Sequence, residues 1–434
     1  MQVRDTAAWC IGRVCDSCEE VVTRQEILAI SSLAKASYDV ACRQGTDNTG
    51  EPESYILTPC FEAMINELLK ATDRADAHVS NLRIAAFETL MELIKNSPKD
   101  CYEVVQKTTL VVLKKLEQLL NMENSVESSS HKSQLRDLES LLCATLQSVL
   151  RKIRSEDIPF IGDAIMTGLI QIMQRCAGKE SGGVMEDALM AVSTLVEALG
   201  NRFANYLDAF KPYLVAGLRN HEEAQVCSAA IGVLADLCRA METGLTPYLD
   251  EFMELLSQIV QSSIVNRDVK PSVLSCFGDI ALAIGPGFNR YFDHVMDFLL
   301  MAANSTQDLD PDDYDKVEYV EQLLESCVEA YTGIVQGMRN SNSELQLVAQ
   351  HLPAMLQLVN TIASRTSPES LIGVAAGLVG DLVTSFGSVV LPSVDSHPVS
   401  AMLTRGRRSK SARTKSLAVW ATKEIRKLKA ISTS

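Results

Sequence analysis

The chain has 434 residues, of which 47% are hydrophobic and 5% aromatic, and its net charge is −15 at pH 7. This acidic balance argues against nucleic acid as a partner and favours a basic protein segment. We recognise no signal peptide and no apolar run of the ~18 residues that a membrane span needs, so we expect no membrane insertion.

Twelve cysteines fall singly on predicted helical faces, as Cys143 does. This usage predicts reduced thiols in the cytoplasm or nucleus and not a disulfide framework. Cys10, Cys15 and Cys18 have a spacing similar to that of iron–sulfur ligands, but no matching fourth cysteine follows. We interpret them as core thiols and predict no cofactor.

Residues 1–45 predict an incomplete, disturbed leading repeat. Asp5–Cys15, which carries Trp9, and Gln25–Cys42 both have the apolar spacing of the second helix of a helical hairpin. Only Asp16–Arg24 lies between them, which is too short for a first helix of about 15 residues. The repeat pattern is therefore irregular at this end.

Residues 46–404 predict a regular array of helical hairpins, and residues 405–434 predict the basic C-terminal helix of the last repeat. Each hairpin has two stretches of helical apolar spacing. The predicted pairs are Tyr55–Lys70 with Val79–Lys95, Tyr102–Met122 with Leu135–Ile153, Ile158–Cys176 with Glu186–Leu199, Phe203–Arg219 with Ala224–Met241, Leu245–Gln261 with Val269–Ile284, Phe288–Ala303 with Tyr319–Met338, Leu345–Ala363 with Glu369–Phe386, and Val389–Leu403 with Lys415–Lys429.

Equivalent residues recur with a period in the low forties. Tyr206, Tyr248 and Tyr291 are 42 and 43 residues apart, and Asp236 and Asp279 are 43 apart. A hairpin of this length cannot bury its own apolar faces, so it stacks on a neighbour at each side. The period predicts an all-α HEAT-repeat solenoid, a right-handed superhelix of helical hairpins.

Six stretches closely resemble the importin-beta (karyopherin-beta) family. They are Gly182–Leu195, Lys99–Tyr102, Phe277–Gly285, Glu329–Gly337, Gly406–Lys410 and Leu417–Glu424. The matching residues correspond to the C-terminal half of that family. The resemblance implies a carrier for protein import into the nucleus, found in the cytoplasm, the nucleus and the nuclear pore. It also implies that the main Ran-GTP surface and the principal Phe-Gly nucleoporin site belong to the half that this sequence does not match.

Carboxylates form the first group of candidate peptide-binding residues. Asp236, Asp279 and Asp381 each follow a small residue and lie opposite the apolar stripe of a second helix. Second helices line the concave side of a solenoid, so these residues would face a basic ligand. The alternative is that each Asp hydrogen-bonds within its own repeat and holds the hairpin turn. Glu186 and Asp187 also lie off the apolar stripe of their helix, and we include them as candidates.

Trp9 and Trp420 are the only tryptophans in the chain. One interpretation is core packing in a terminal helix. The family resemblance implies instead that both line the groove for the basic importin-beta-binding helix of importin alpha, where an indole stacks on Arg or Lys. We therefore add both to the candidate peptide-binding residues.

The segment from Arg405 to Lys429 holds ten Lys/Arg residues and one acid, Glu424. Nucleic-acid binding and a localisation signal are two interpretations of such a run. We favour a third, in which part of the segment pairs with the acidic concave face and the rest is solvated.

No motif predicts catalysis or metal binding. The alternating acids Asp308, Asp310, Asp312, Asp313 and Asp315 lack the glycine and the terminal glutamate of a calcium loop, so we interpret them as a solvated loop with a helix cap. No phosphate loop or nucleophile elbow is present.

The leading functional prediction is therefore a nuclear import carrier, not an enzyme, that binds the basic segment of importin alpha. Contacts with Ran-GTP and Phe-Gly nucleoporins would be weakened. The alternative is a HEAT-repeat scaffold or regulatory subunit of another complex, such as a phosphatase.

Overall fold

A computed structural model describes residues 24–44, 50–74, 77, 81–122, 129–176, 183–305 and 313–432. Within these ranges the chain forms α-helices, short 3-10 helices and turns, and no β-strand. The all-α prediction is therefore confirmed. Trp9, the predicted helix around it, and Cys10, Cys15 and Cys18 lie outside the described residues.

The chain divides into two compact units, unit 1 from Met1 to Tyr206 and unit 2 from Leu207 to Ser434. The α-helices of unit 1 are α1 (Arg24–Gln44), α2 (Phe61–Asp73), α3 (Leu82–Lys95), α4 (Tyr102–Met122), α5 (Ser129–Leu150), α6 (Ile158–Cys176) and α7 (Val184–Leu199). Helix α8 (Ala204–Leu218) contains the boundary between the units.

Unit 2 continues the alternation of first and second helices. Its further helices are α9 (Ala224–Met241), α10 (Leu249–Gln261), α11 (Lys270–Ile284), α12 (Asn289–Asn304), α13 (Tyr314–Met338), α14 (Asn342–Ala349), α15 (Leu352–Ser364), α16 (Glu369–Phe386), α17 (Leu391–Val394), α18 (His397–Arg407) and α19 (Ala412–Ser432). Helices α9, α11, α13, α16 and α19 are the second helices, and each contacts the next one in this order.

Helix α7 illustrates how the sequence sets a second helix. Its apolar stripe, which includes Ala188, Leu195 and Val196, is buried. The helix ends at Gly200, whose φ of +55° is unfavourable for L side chains but open to glycine, and whose N–H bonds the carbonyl of Val196. The apolar spacing and the terminal glycine together fix the length of the helix.

Two predicted first helices are each broken in the structure. Leu345–Ala363 was expected as one helix, but α14 ends at Ala349 and α15 begins at Leu352. Val389–Leu403 was also expected as one helix and is divided between α17 and α18. A proline stands in the first turn of α15, of α17 and of α18. Because proline has no N–H to donate, it fits a helix start but interrupts a continuous helix.

Tyrosine–aspartate hydrogen bonds connect consecutive first helices. In unit 1 the Tyr206 hydroxyl donates to Asp163 at 2.6 Å. In unit 2 the Tyr248 hydroxyl donates to Asp208 at 2.7 Å, and Tyr291 donates to Asp250. The tyrosines are the residues that mark the sequence period, so the repeat of about forty residues appears directly as a repeated contact.

Helices α11 and α13 of unit 2 approach so closely that glycine is required between them. A Cβ atom built on Gly333 would lie 2.3 Å from the carbonyl oxygen of Gly278, and one built on Gly337 would lie 2.2 Å from that of Ala281. No side chain fits such a backbone contact. The glycines therefore hold these two second helices at a fixed, short distance.

Three stretches are apolar enough to span a membrane by length and composition alone, which corrects the expectation that none would be. They are Ala224–Gln261, Arg267–Asn304 and Glu369–Val389. The first two each join two α-helices through a short 3-10 turn. In the structure 56%, 56% and 67% of the most apolar part of these stretches is buried. Their apolar side chains are thus covered in large part by packing between the helices of the repeats.

The nine cysteines within the described ranges are free thiols, and six of them are buried. Burial raises the pKa of the Cys227 thiol to about 11 and raises the pKa of Cys276 well above its usual range. The thiols of Cys227 and Cys276 are therefore protonated at neutral pH.

Candidate peptide-binding groove

The five second helices of unit 2 line one groove with a volume of about 840 Å³. Helices α9 and α11 supply mainly small side chains to its wall, among them Ser228, Gly232 and Ser275. Because these side chains are short, a ligand can approach close to the helix backbone. The groove therefore lies where a solenoid exposes its second helices, on the face that the sequence predicted.

Trp420 of α19 lies in this groove. A Cβ atom built on Gly380 of α16 would meet the indole at 2.1 Å, so one part of the ring packs directly on the backbone of α16. The side chain is half-buried and its remaining surface faces the groove. Gly380 thus provides the space in which the indole is fixed, and the ring is available to a ligand without further ordering.

Two of the three predicted aspartates line the same groove, but they are less open than expected. Asp279 and Asp381 are lining residues, whereas Asp236 is only 7% exposed and does not line the groove. Asp381 is 3% exposed. Asp236 and Asp381 lie opposite the main apolar stripe of their helices, as predicted, but close helix packing still covers both side chains. That these aspartates face a basic ligand stays a prediction.

The partners of these aspartates lie mostly in the preceding repeat. Arg239 of α9 contacts Asp236 on its own helix and reaches Asp279 of α11, with 3.3 Å between Nη1 and Oδ1. Asp381 of α16 accepts a hydrogen bond of 2.8 Å from Gln336 of α13. The alternative that each aspartate holds its own hairpin turn is therefore wrong for Asp279 and Asp381, since their contacts join neighbouring second helices.

Burial controls the electrostatics of these carboxyl groups. It raises the pKa of Asp279, an effect that the Arg239 guanidinium opposes. It also raises the pKa of Asp381, which the Gln336 hydrogen bond and the charge of Arg339 oppose. A buried carboxylate is costly without such partners, so the arginines and the glutamine are part of the site.

Glu329 and Arg413 are groove residues that the sequence did not single out as ligand-binding. Burial raises the pKa of Glu329, the neighbouring Glu325 raises it further, and the charge of Arg413 lowers it. The available signal was the spacing of Glu321, Glu325 and Glu329, which places three acids on one face of α13. Arg413 was counted only as one charge in a basic segment.

Glu186 and Asp187 belong to unit 1, in the first turn of α7. Burial raises the pKa of Asp187, and a hydrogen bond with Ser140 lowers it. Burial also raises the pKa of Glu186, as does the charge of Asp187. Acidic side chains at a helix N-terminus interact favourably with the helix dipole, which is a structural role that needs no ligand.

The basic C-terminal segment has several partners within unit 2. The Arg405 guanidinium donates to the carbonyls of Ala363 and Arg365, each at 3.4 Å. Lys429 pairs with Asp395 at 2.5 Å. Arg413 lines the acidic groove. Arg405 therefore binds at the end of α15, and Lys429 pairs with an exposed carboxylate.

The acidic loop ends in a helix cap. The Asp313 side chain accepts a hydrogen bond of 3.1 Å from the backbone N–H of Lys316 at the start of α13. Asp308, Asp310 and Asp312 lie outside the described residues. In the part of the chain that the structure covers, no group of three or more His, Cys, Asp and Glu residues is arranged to hold a metal ion.

The fold and the groove together define an all-α repeat protein whose groove is lined by acidic side chains and a tryptophan. Residues 30–407 match the family model described as importin subunit beta-1-like, TPR repeats. Importin subunit beta-1 of Schizosaccharomyces pombe is 35% identical over 445 residues, which cover 98% of this chain and 50% of that protein.

Solved structures give the same relationship. The crystal structure of importin beta in an ammonium sulfate condition has a TM-score of 0.87 and 30% identity, and the match covers 96% of this chain and 47% of the other. Yeast importin-beta (Kap95p) has a TM-score of 0.78 and 26% identity, covering 99% and 51% of the two chains. Other structures of Kap95 that match contain Nup1 or RanGDP.

The chain belongs to the importin beta family, whose members are nuclear import receptors. It spans about half the length of the curated relatives that it matches. The HEAT-repeat prediction is confirmed by the same structural matches.

Proposed function

We propose that this chain acts in protein import into the nucleus by binding the basic importin-beta-binding helix of importin alpha in the groove of unit 2. The observation that carries the proposal is the presence of Trp420, Asp279, Glu329 and Asp381 along one groove. Carboxylates attract a basic segment, and an indole stacks on a guanidinium or ammonium group.

The length of the groove fits an extended helix better than a short peptide. Five second helices contribute to it, from α9 to α19. Neighbouring helices pack about 8–10 Å apart, so five of them span roughly 40 Å. An α-helix of about 25 residues covers that distance at about 1.5 Å per residue.

Other partners follow from the relatives. Two of the matching Kap95 structures are with Nup1 and RanGDP, so we include a Phe-Gly nucleoporin and Ran among the proposed partners. We propose that both bind this chain more weakly than a full-length receptor. The corresponding sites of action are the cytoplasm, the nucleus and the nuclear pore. The phosphatase-type scaffold alternative has no observation in its favour.

Fluorescence anisotropy with a labelled basic importin alpha segment tests the proposal. Affinity should fall steeply between about 50 and 300 mM salt, because the Debye length falls below ~10 Å over this range. Trp420→Ala should weaken binding by about thirtyfold, as expected for loss of an aromatic anchor worth about 2 kcal/mol.

Two controls separate binding from folding. Val419→Ala removes a side chain that is 48% exposed next to Trp420 and should leave the affinity unchanged. Circular dichroism should show the same helix content for both variants. A parent protein that does not bind the segment, or a Trp420→Ala variant that binds as tightly as the parent, would contradict the proposal.

A further inference from the structure

The acidic groove of unit 2 already holds a guanidinium group of the chain itself. Arg239 on α9 contacts the carboxylate of Asp236 and, with a second nitrogen, lies 3.3 Å from that of Asp279 on α11. The two carboxylates therefore share one planar cation. This is the geometry in which arginine is preferred to lysine, because its donors point in fixed directions.

The two sides of this contact differ in exposure. The side chains of Asp236 and Asp279 are 8% and 26% exposed, whereas that of Arg239 is 57% exposed and lines the groove. The carboxylates are thus held by packed helices, and the guanidinium lies over them on the groove side. An arginine side chain on a helix surface can rotate into solvent without moving the backbone.

We infer that Asp236 and Asp279 form a guanidinium-binding site in which Arg239 is a resident substitute for an arginine of the ligand. The inference rests on the proposed function for the identity of that ligand, but the site itself is a property of unit 2. An incoming basic helix inserts an arginine between the two carboxylates and displaces Arg239 into solvent.

This exchange sets both affinity and specificity. Before a ligand arrives, Arg239 neutralises two partly buried carboxylates that would otherwise be costly to keep charged. A ligand gains only the difference between its own contact and the one that it replaces. A lysine has a compact charge and does not match two carboxylates at fixed positions as a planar guanidinium does. The site therefore favours arginine-containing segments over lysine-only segments.

The first experiment needs no peptide. Arg239→Ala empties the site and should lower the melting temperature of the full chain. Millimolar methylguanidinium chloride should restore part of the loss, because a ligand that binds only the folded state stabilises it. The parent protein should show no such gain. Arg290→Ala is the matched control, because Arg290 is also half-exposed and lies 3.3 Å from one carboxylate, that of Asp250, but does not line the groove.

The second experiment measures binding of an arginine-containing basic helix and of the same peptide with citrulline, a neutral isostere, at its arginine positions. Arg239→Ala should bind the arginine peptide about tenfold more tightly than the parent does, since no resident cation has to be displaced. The citrulline peptide should not show this gain. Arg290→Ala should match the parent with both peptides.

The outcomes distinguish this inference from the proposed function. In one outcome the parent fails to bind the peptide, but methylguanidinium stabilises Arg239→Ala and neither the parent nor Arg290→Ala. This result supports the guanidinium site and contradicts the proposed function. In a second outcome the parent binds the peptide, but Arg239→Ala binds it no more tightly and is not stabilised by methylguanidinium. This result supports the proposed function and contradicts the guanidinium site. If the parent does not bind and methylguanidinium has no effect on the variant, both are wrong.

Discussion

Consecutive hairpins of unit 2 are joined by aspartates on both their first and their second helices, yet the two sets of contacts differ in kind. On the first helices, Tyr248 donates to Asp208 and Tyr291 donates to Asp250, and both aspartates are exposed. On the second helices, Asp381 is buried against Gln336, and Arg239 joins two partly covered carboxylates.

The difference shows that burial, and not residue type, decides what an aspartate contributes. An exposed carboxylate that loses its partner is rehydrated at little cost. A buried one that loses its partner keeps the full desolvation penalty, and so does the partner. The second-helix contacts therefore fix the spacing of the groove wall, whereas the first-helix contacts add little to stability.

The largest expected effect is on the close contact between α11 and α13. Gly333→Ala places a methyl group where a Cβ atom would be 2.3 Å from the carbonyl oxygen of Gly278, so the two helices have to move apart. We expect a loss of about 3 kcal/mol or more in the free energy of unfolding, as for other overpacked core sites. Chemical denaturation followed by circular dichroism measures it.

Gly232→Ala is the matched control within the same groove wall. A Cβ atom built on Gly232 would meet nothing within 4 Å. Because alanine favours a helix interior over glycine by up to about 1 kcal/mol, this variant should be unchanged or slightly more stable. Equal losses for both variants would show that the α11–α13 approach is not a constraint.

A second pair of variants tests the two kinds of aspartate contact directly. Asp381→Ala removes the carboxylate that accepts a 2.8 Å hydrogen bond from the Gln336 amide. It should lower the free energy of unfolding by about 2 kcal/mol. Tyr248→Phe removes the hydroxyl that donates to an exposed aspartate and should cause no measurable change. Thermal melts of both variants under identical conditions decide the matter. If Tyr248→Phe lowered the melting temperature more than Asp381→Ala did, the exposed first-helix contacts would be the more important ones.

Much of the fold could be predicted from the sequence because helix stripes and repeat period are local properties. The predicted bounds of Tyr102–Met122, Ile158–Cys176, Ala224–Met241 and Glu369–Phe386 are those observed. The breaks in the two divided helices were missed because the apolar spacing continues past the proline at which a new helix begins. Apolar spacing alone therefore does not show the interruption. A proline in the first helical turn was the signal that should have ended each helix.

The candidate site was predicted less completely, for a physical reason. Spacing along a helix shows that Asp236 and Asp381 lie off the main apolar stripe, but it does not show how closely the next helix packs. Gly380, directly before Asp381, lets the Trp420 indole of α19 pack on the backbone of α16, and Asp381 is only 3% exposed. Trp420 was found through a family resemblance, whereas its packing on Gly380 depends on a contact between α16 and α19 that one sequence does not reveal.

The smallest expected effect concerns Glu329, the groove acid whose charge is least compensated. Among the described residues it has no ion pair or hydrogen bond through its side chain, in contrast to Asp381 on the next second helix. Burial and the nearby Glu325 raise its pKa in the folded protein. A carboxyl group with a raised folded pKa destabilises the fold when it is ionised, and the penalty disappears as pH falls through that pKa.

Glu329→Gln should therefore raise the melting temperature slightly at pH 7. The advantage should shrink as pH falls and be lost below 4.5, the ordinary pKa of glutamate, where the parent side chain is neutral in both states. Asp381→Asn is the comparison, because removing a charge that Gln336 and Arg339 stabilise should bring no such gain. Melting curves between pH 4 and pH 7 measure the difference. A gain for Glu329→Gln that did not depend on pH would mean that side-chain shape, and not charge, is responsible.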